Sequence, residues 1–359
     1  MKEKINSIQL ASIFTLLIFS SSIGISLYTT IKIASIDSYI SVFLGGLLGI
    51  IPLLLVLYIF NYDIDKPIYE KNKTIFGHFL GNIINIIILL LYLIVAATIL
   101  FNTSNFIVSQ YLSDTPLILI MIILMLIILY TINKGIETIS RTSAIFVIIT
   151  LFFFLFGICG TLSEIKIENL KPFLEFGIEK PLIGSFVNML ISTAPIYTIL
   201  IIPKNNLCDN KKTAKYLFIS YAIAATTLFL ISFIANSILG KYLIELYQFP
   251  GYIALKRISL FGFIDRIENF LSLQWILSSF ITLSMIIYYI SKNIKRSGKS
   301  KLLNTIIVII TILVSYNIFK NNTSFNSYLY EYYPYILSAL LIMYIVITLT
   351  IFIRKKLKK

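Results

Sequence analysis

Apolar residues occur along this chain in long uninterrupted blocks, with polar residues gathered between the blocks. Runs at about 8–30, 39–60, 80–102, 116–132, 142–160, 182–202, 216–239, 268–290, 302–319 and 333–353 approach or exceed the ~20 residues that carry a helix across a bilayer. The pattern predicts an all-α polytopic membrane protein: one integral membrane domain over 1–359, with ten transmembrane helices. The fourth and ninth runs are short and are expected to be tilted or partly buried. The first run follows Met1-Lys2-Glu3-Lys4, which looks like the start of a signal peptide. It extends past a usual signal core and lacks a small-x-small cleavage site, so it is expected to stay as a helix.

Ten is an even number, so both termini fall on one side, and the charges say which. With the N-terminus cytoplasmic, 21 of the 30 Lys and Arg residues lie inside, for a net +15 there against −1 outside. That is the positive-inside bias of membrane proteins. The formal charge of +14 is therefore a statement of topology, and no nucleic-acid partner is expected. Only 13% of the 359 residues are charged and 58% are apolar, which leaves no material for a sizeable domain outside the lipid.

Catalytic chemistry is missing from the pattern. The one histidine, His78, stands at the start of the third span without a metal-binding or nucleophilic partner in sequence, and no phosphate-binding glycine motif occurs. An enzyme is not expected, nor a cofactor or metal. Cys159 and Cys208 read as unpaired thiols. Glu137 and Arg141, four apart where the fifth span begins, can pair on one helix face as a structural clamp.

A ligand site must then be built without charged side chains. Five spans is an odd number, so two consecutive five-helix halves have opposite topology, and in such inverted repeats the first helix of each half is interrupted near mid-membrane. Breaker clusters stand where that rule asks for them. The first span carries Ser20-Ser21-Ser22-Ile23-Gly24, and the sixth carries Ser192-Thr193-Ala194-Pro195-Ile196-Tyr197. Unwound backbone there, with helix-end partial charges, would hold a zwitterion. Candidate ligand contacts are Ser21, Ser22, Gly24, Thr193, Pro195 and Tyr197. Tyr92 and Ala96 from the third span and Ser278 and Thr282 from the eighth are expected to complete the pocket. The competing reading makes Gly24 and the serines packing positions, Pro195 a simple kink, and the hydroxyls partners of their own helices. The segment 240–267, with Tyr247-Gln-Phe-Pro-Gly251 and the charges Lys256, Arg257, Asp265, Arg266 and Glu268, reads as a short lid or re-entrant helix.

Three stretches resemble a known family. They are Ile5-Asn-Ser-Ile-Gln-Leu10 leading to Gly24, Gly135-Ile-Glu-Thr-Ile-Ser-Arg-Thr-Ser-Ala-Ile-Phe146, and Phe249-Pro-Gly-Tyr252 through Lys256-Arg257 and Asp265-Arg-Ile-Glu268 to Trp275-Ile-Leu-Ser-Ser-Phe280. The sequence resembles the B subunits of spore germinant receptors, the GerAB-type endospore germination permeases of the amino acid/polyamine/organocation transporter superfamily. The resemblance implies a five-plus-five, LeuT-like transporter fold with broken first and sixth helices. It also implies a sensor of nutrient germinants, commonly amino acids, working with a larger A subunit and a C-type lipoprotein subunit in the inner spore membrane. An active amino-acid or amine permease is the alternative. Where many members carry a lysine after the Ser-Phe-Ile stretch of the eighth span, this chain has Thr282. The Ile-, Lys- and Asn-rich composition suits a low-GC Gram-positive spore former.

Overall fold

The computed structural model describes residues 4–175, 177–258, 266–294 and 301–357, without the side chains of Ser22, Ile23 and Asn210. Asp265 of the lid segment lies outside the described residues. The described chain is almost wholly helical. In order, it forms α1 (Ser7–Phe19), a π-helical turn (Ser22–Ser26), α2 (Leu27–Ala34), α3 (Ser38–Leu48), α4 (Ile50–Phe60) and α5 (Ile68–Phe76). There follow α6 (His78–Gln110), α7 (Leu117–Lys134), α8 (Ile136–Thr161), α9 (Glu179–Thr193), a 3-10 helix (Ala194–Ile201) and α10 (Thr213–Leu246). The last five are α11 (Pro250–Lys256), α12 (Glu268–Ile294), α13 (Lys301–Ile318), α14 (Asn322–Glu331) and α15 (Tyr333–Leu357).

Among the described residues, nine helical segments are long and apolar enough to cross a membrane. The first, Ser7–Phe60, has 54 residues. A straight helix of that length would reach about 80 Å, far beyond a ~30 Å hydrocarbon core. The segment instead folds back at Ser35, whose φ of 50° breaks the helix. Asn188 on α9 proves the reversal, because it bonds both the Ser26 hydroxyl and the Val42 carbonyl. Residues 26 and 42 would stand about 24 Å apart on one straight helix. Counted as two passes, this segment brings the total to ten.

The passes alternate. At one end, the Lys4 N–H meets Glu137, the Ser7 N–H meets Asp209, Lys204 meets Asn61, and Arg354 donates to the Thr74 carbonyl. At the other end, Ser35 bonds Glu245, the Leu174 N–H donates to Asp37, and Tyr111 donates to Asn269. Helices α3 and α9 run parallel. Glycine positions 184, 45 and 49 lie against Ser41, Asn188 and Thr193 in turn, so both helices advance together. A first span antiparallel to the sixth follows, as an inverted repeat requires.

Local chemistry explains the element ends. α1 opens on a reciprocal cap: the Asn6 side chain accepts the Gln9 N–H at 2.7 Å, and Gln9 accepts the Asn6 N–H at 3.0 Å. Asp209 accepts the Ser7 N–H at 2.7 Å, another donor that a helix start leaves free. This contact pulls the Asp209 carboxyl below the usual carboxylate range. Gly135 separates α7 from α8 at φ 95°, a conformation that disfavours any side chain.

Burial ranks the helices by position. The sixth span is 83% buried within the protein, whereas α8, α13 and α15 are each 28% buried and present apolar faces outward. Almost every residue of α1 is covered. The interrupted helices therefore sit in the middle of the bundle, and the uninterrupted outer ones face lipid.

Candidate functional site

The first interruption begins where α1 runs out of regular hydrogen bonds. The Ser20 N–H reaches the Leu16 carbonyl at 3.1 Å, Ser21 reaches Ile18 at 3.4 Å, and Ser26 reaches back five residues to Ser21 at 2.8 Å. The widened turn takes the Ser20 carbonyl out of the helical ladder, and the Trp275 indole N–H of α12 donates to it at 2.9 Å. Ser20 and Ser21 return their hydroxyls to the Leu17 and Ile18 carbonyls, both at 2.9 Å.

Gly24 lies inside the π turn with no room for a side chain. A Cβ there would stand 2.5 Å from Asn102 Nδ2 and 2.7 Å from the Trp275 ring. Only glycine permits the first span to approach α6 and α12 this closely.

The second interruption is a change of helical winding. α9 ends at Thr193 and the chain continues as a 3-10 helix from Ala194 through Pro195, Tyr197 and Ile201. Pro195 has no N–H to give the preceding turn, so the α pattern cannot continue through it. The Tyr92 hydroxyl of α6 donates to the Ala194 carbonyl at 3.1 Å. Thr193 Oγ1 donates within its own helix, to Met189, at 2.7 Å.

Around this second break stands a group of four tyrosines, none more than 1% exposed. Tyr92 and Tyr289 rings lie 5.0 Å apart, and Tyr197 stacks on Tyr344 at 3.9 Å with planes 5° apart. The Tyr197 hydroxyl is buried without a partner. Both amide atoms of Asn102, at 0% exposure, are likewise unpartnered, as is the Ser279 hydroxyl. Buried unpartnered side-chain atoms also occur elsewhere, on Ser41, Asn72 and Asn326 among others, and these three groups are ones carried by the sixth span and by helices that pack around the interrupted spans.

Nine of the ten candidate contacts named from the sequence fall into three groups. Gly24, Tyr92 and Thr282 reach across between helices, Thr282 through a 3.4 Å bond to the Leu16 carbonyl. Tyr197 and Ala96 are buried in the same core, and Pro195 ends the α winding. Ser21, Thr193 and Ser278 spend their hydroxyls on their own helices, Ser278 on the Trp275 carbonyl at 2.9 Å. Ser22 belongs to the π turn, and its side chain lies outside the described residues. Glu137 and Arg141 pair at 3.5 Å on an exposed face at the N-terminal end, beside Lys4.

Both interruptions expected from the sequence are present, and they keep helical winding as a π turn and a 3-10 helix. At the breaks, the Ser20 and Ala194 carbonyls are claimed by Trp275 and Tyr92 from neighbouring spans, which avoids a cost of several kcal/mol per bare group in hydrocarbon. Asn102, Asn188, Tyr289 and Tyr344 were not singled out from sequence, and Trp275 entered only through the family resemblance. Asn102 had a usable pattern, because Tyr92, Ala96, Ile99, Asn102 and Phe106 share one face of α6.

Comparison with known proteins follows the same outline. The family described as Spore germination protein (Spore_permease) matches residues 4–326. Spore germination protein KB of Bacillus subtilis (strain 168) is 25% identical over 286 residues, covering 78% of this chain and 76% of that protein. Spore germination protein YndE of the same strain is 27% identical over 286 residues, with coverage of 77% and 76%. Among solved structures, Mhp1, a nucleobase-cation-symport-1 family transporter in a closed conformation with bromovinylhydantoin bound, superposes with a TM-score of 0.65. That superposition covers 96% of this chain and 78% of Mhp1 at 14% identity, a likeness of fold alone. The fold is the LeuT-like one, and the chain is a multi-pass integral membrane protein.

Proposed function

The chain belongs to the family of spore germination proteins, and on that premise we propose that it is the nutrient-sensing subunit of a germinant receptor. The ligand is a small zwitterion, an amino acid in the first instance, held between the π turn of the first span and the 3-10 helix of the sixth. Gly24, Tyr92, Tyr197 and Thr282 contribute from the residues named in sequence, and Asn102 joins them. The partners are a germinant receptor A subunit and a C-type lipoprotein, and the compartment is the inner membrane of the spore with both termini cytoplasmic. Binding favours one conformation of the bundle, and the partner subunits respond to that shift.

The observation that carries this reading is the pair of interruptions, one in each half, surrounded by buried polar atoms without partners: both amide atoms of Asn102 and the hydroxyls of Tyr197 and Ser279. Such atoms are costly in a core and acquire partners when a polar ligand enters.

The test is deletion of the gene in a spore former carrying no redundant receptor, with germination scored on single amino acids. Loss of response to one or a few is expected, and unchanged germination on every nutrient would sink the proposal. The likeness to Mhp1 favours one second reading, an active amino-acid or amine permease. Uptake of labelled amino acid into proteoliposomes holding this protein alone would establish it.

A further inference from the structure

Above the first interruption, the helix ends form a polar cavity of about 480 Å³ at the bundle end away from the N-terminus. It is lined by the end of α6, by α11 and by the start of α12. Tyr111, Tyr252, Lys256, Arg257, Arg266 and Glu268 give it its chemistry. The charges are sorted by depth. Lys256, Arg257 and Arg266 are exposed, whereas Glu268 is only 3% exposed. Its Oε2 is buried with no hydrogen-bond partner. Among the described residues, Glu268 forms no ion pair with the three cations around it. A carboxylate buried and unpaired is costly, and it is stabilised by a cationic donor placed against it.

The cavity also has a defined floor. Tyr252 lines it and packs on Phe106 at 5.2 Å, Phe106 packs on Trp275 at 4.6 Å, and Trp275 covers Gly24. Three rings thus separate this outer cavity from the first-span interruption.

We infer that the outer cavity is a second recognition site, taking a small zwitterion with its ammonium on Glu268 and its carboxylate among Lys256, Arg257 and Arg266. It admits solutes carrying both charges to the aromatic floor and disfavours those carrying one. A lone carboxylate leaves Glu268 unpaired and adds like charge beside it, and a lone amine leaves the three cations without a counter-charge. The inference rests on the proposed sensing role only for its purpose, because the site itself is tested by binding.

Trp275 is the only tryptophan in the chain and lies beneath the floor, so its fluorescence reads occupancy. The purified full-length protein is titrated with each of the twenty protein amino acids, and with ethylamine and propionate as single-charge probes. At least one amino acid is expected to change the emission saturably, with ethylamine and propionate inert at the same concentrations. Glu268→Gln should raise the half-saturating concentration at least tenfold, and the exposed-site variant Arg266→Gln should raise it severalfold without endangering the fold. Trp275 also covers Gly24 at the inner pocket, so Glu268→Gln and Arg266→Gln, which alter only the outer cavity, decide which site the emission reads. Silence toward all twenty amino acids overturns the outer site, as does an unchanged titration in both Glu268→Gln and Arg266→Gln. A saturable emission change that neither variant shifts assigns the response to the inner pocket and overturns the outer site while sparing the sensing proposal.

Discussion

Trp275 and Ser20 are locked together: the indole N–H donates to the Ser20 carbonyl at 2.9 Å, where the first span leaves its α-helical ladder. The bond does two things. It satisfies a carbonyl that the π turn releases, and it holds the indole over Gly24. Trp275→Phe keeps an aromatic ring against Phe106 and Phe249 but removes the donor. The bare carbonyl should cost about 1–3 kcal/mol. Thermal unfolding in detergent should show a Tm lower by several degrees. An unchanged Tm would mean that water or another donor replaces the indole.

Gly24 fixes how closely the first span approaches α6 and α12. A Cβ falls 2.5 Å from the Asn102 amide and 2.7 Å from the Trp275 ring, so Gly24→Leu must displace one or both. The change keeps the first span apolar, and membrane insertion should persist at wild-type levels by immunoblot. Response of spores to the cognate nutrient should disappear across the whole dose range. A normal dose-response curve would remove the first-span half of the proposed pocket.

How far the sequence foretells this site can be judged at individual residues. The spans were legible because bilayer hydrocarbon imposes a length and composition on every crossing helix. Gly24 and Pro195 were legible because each carries a backbone property independent of its neighbours. The winding at the breaks was not, since a π turn or a 3-10 helix persists only where a side chain from elsewhere takes the released carbonyl. Those side chains are Trp275, 255 residues from Ser20, and Tyr92, 102 residues from Ala194. Asn102 escaped notice for a related reason. It stands where the apolar run of the third span ends, whereas the helix itself continues to Gln110. Asn102, Thr103 and Ser104, read as the end of a span, are in fact a buried part of it.

Lys71 gives a prediction on pH. It lies on α5, outside the crossing helices, and is 1% exposed, with Nζ donating to the Ile59 carbonyl at 2.9 Å. Burial pushes its pKa down from 10.5 to about 8, against the pull of Asp63 and with some help from Lys204. The folded state thus disfavours the charged ammonium. The penalty is present in full below pH 8 and is relieved as pH rises from 8 toward 10.5, so stability increases across that window. A shift of this size corresponds to about 3 kcal/mol. Lys71→Met should stabilise the protein at pH 7 and flatten the gain between pH 7.5 and 9.5. Thermal unfolding of both proteins across that range is the measurement, and parallel curves would refute the assignment to Lys71.

Asn102 separates a structural role from a ligand-binding one. Both of its amide atoms are buried at 0% exposure without partners, so its polarity contributes no bond to the fold described here. Replacing a buried, unsatisfied amide with an apolar group of similar volume removes a desolvation cost of about 1–3 kcal/mol. Asn102→Leu should therefore raise Tm, the opposite of what the loss of a structural hydrogen bond would do. If the amide instead serves an incoming zwitterion, the same variant should lose nutrient response by at least tenfold in half-maximal concentration. Higher stability with lower response is the trade expected of a residue kept for binding. Lower stability with normal response would place Asn102 in the scaffold and remove it from the proposed pocket.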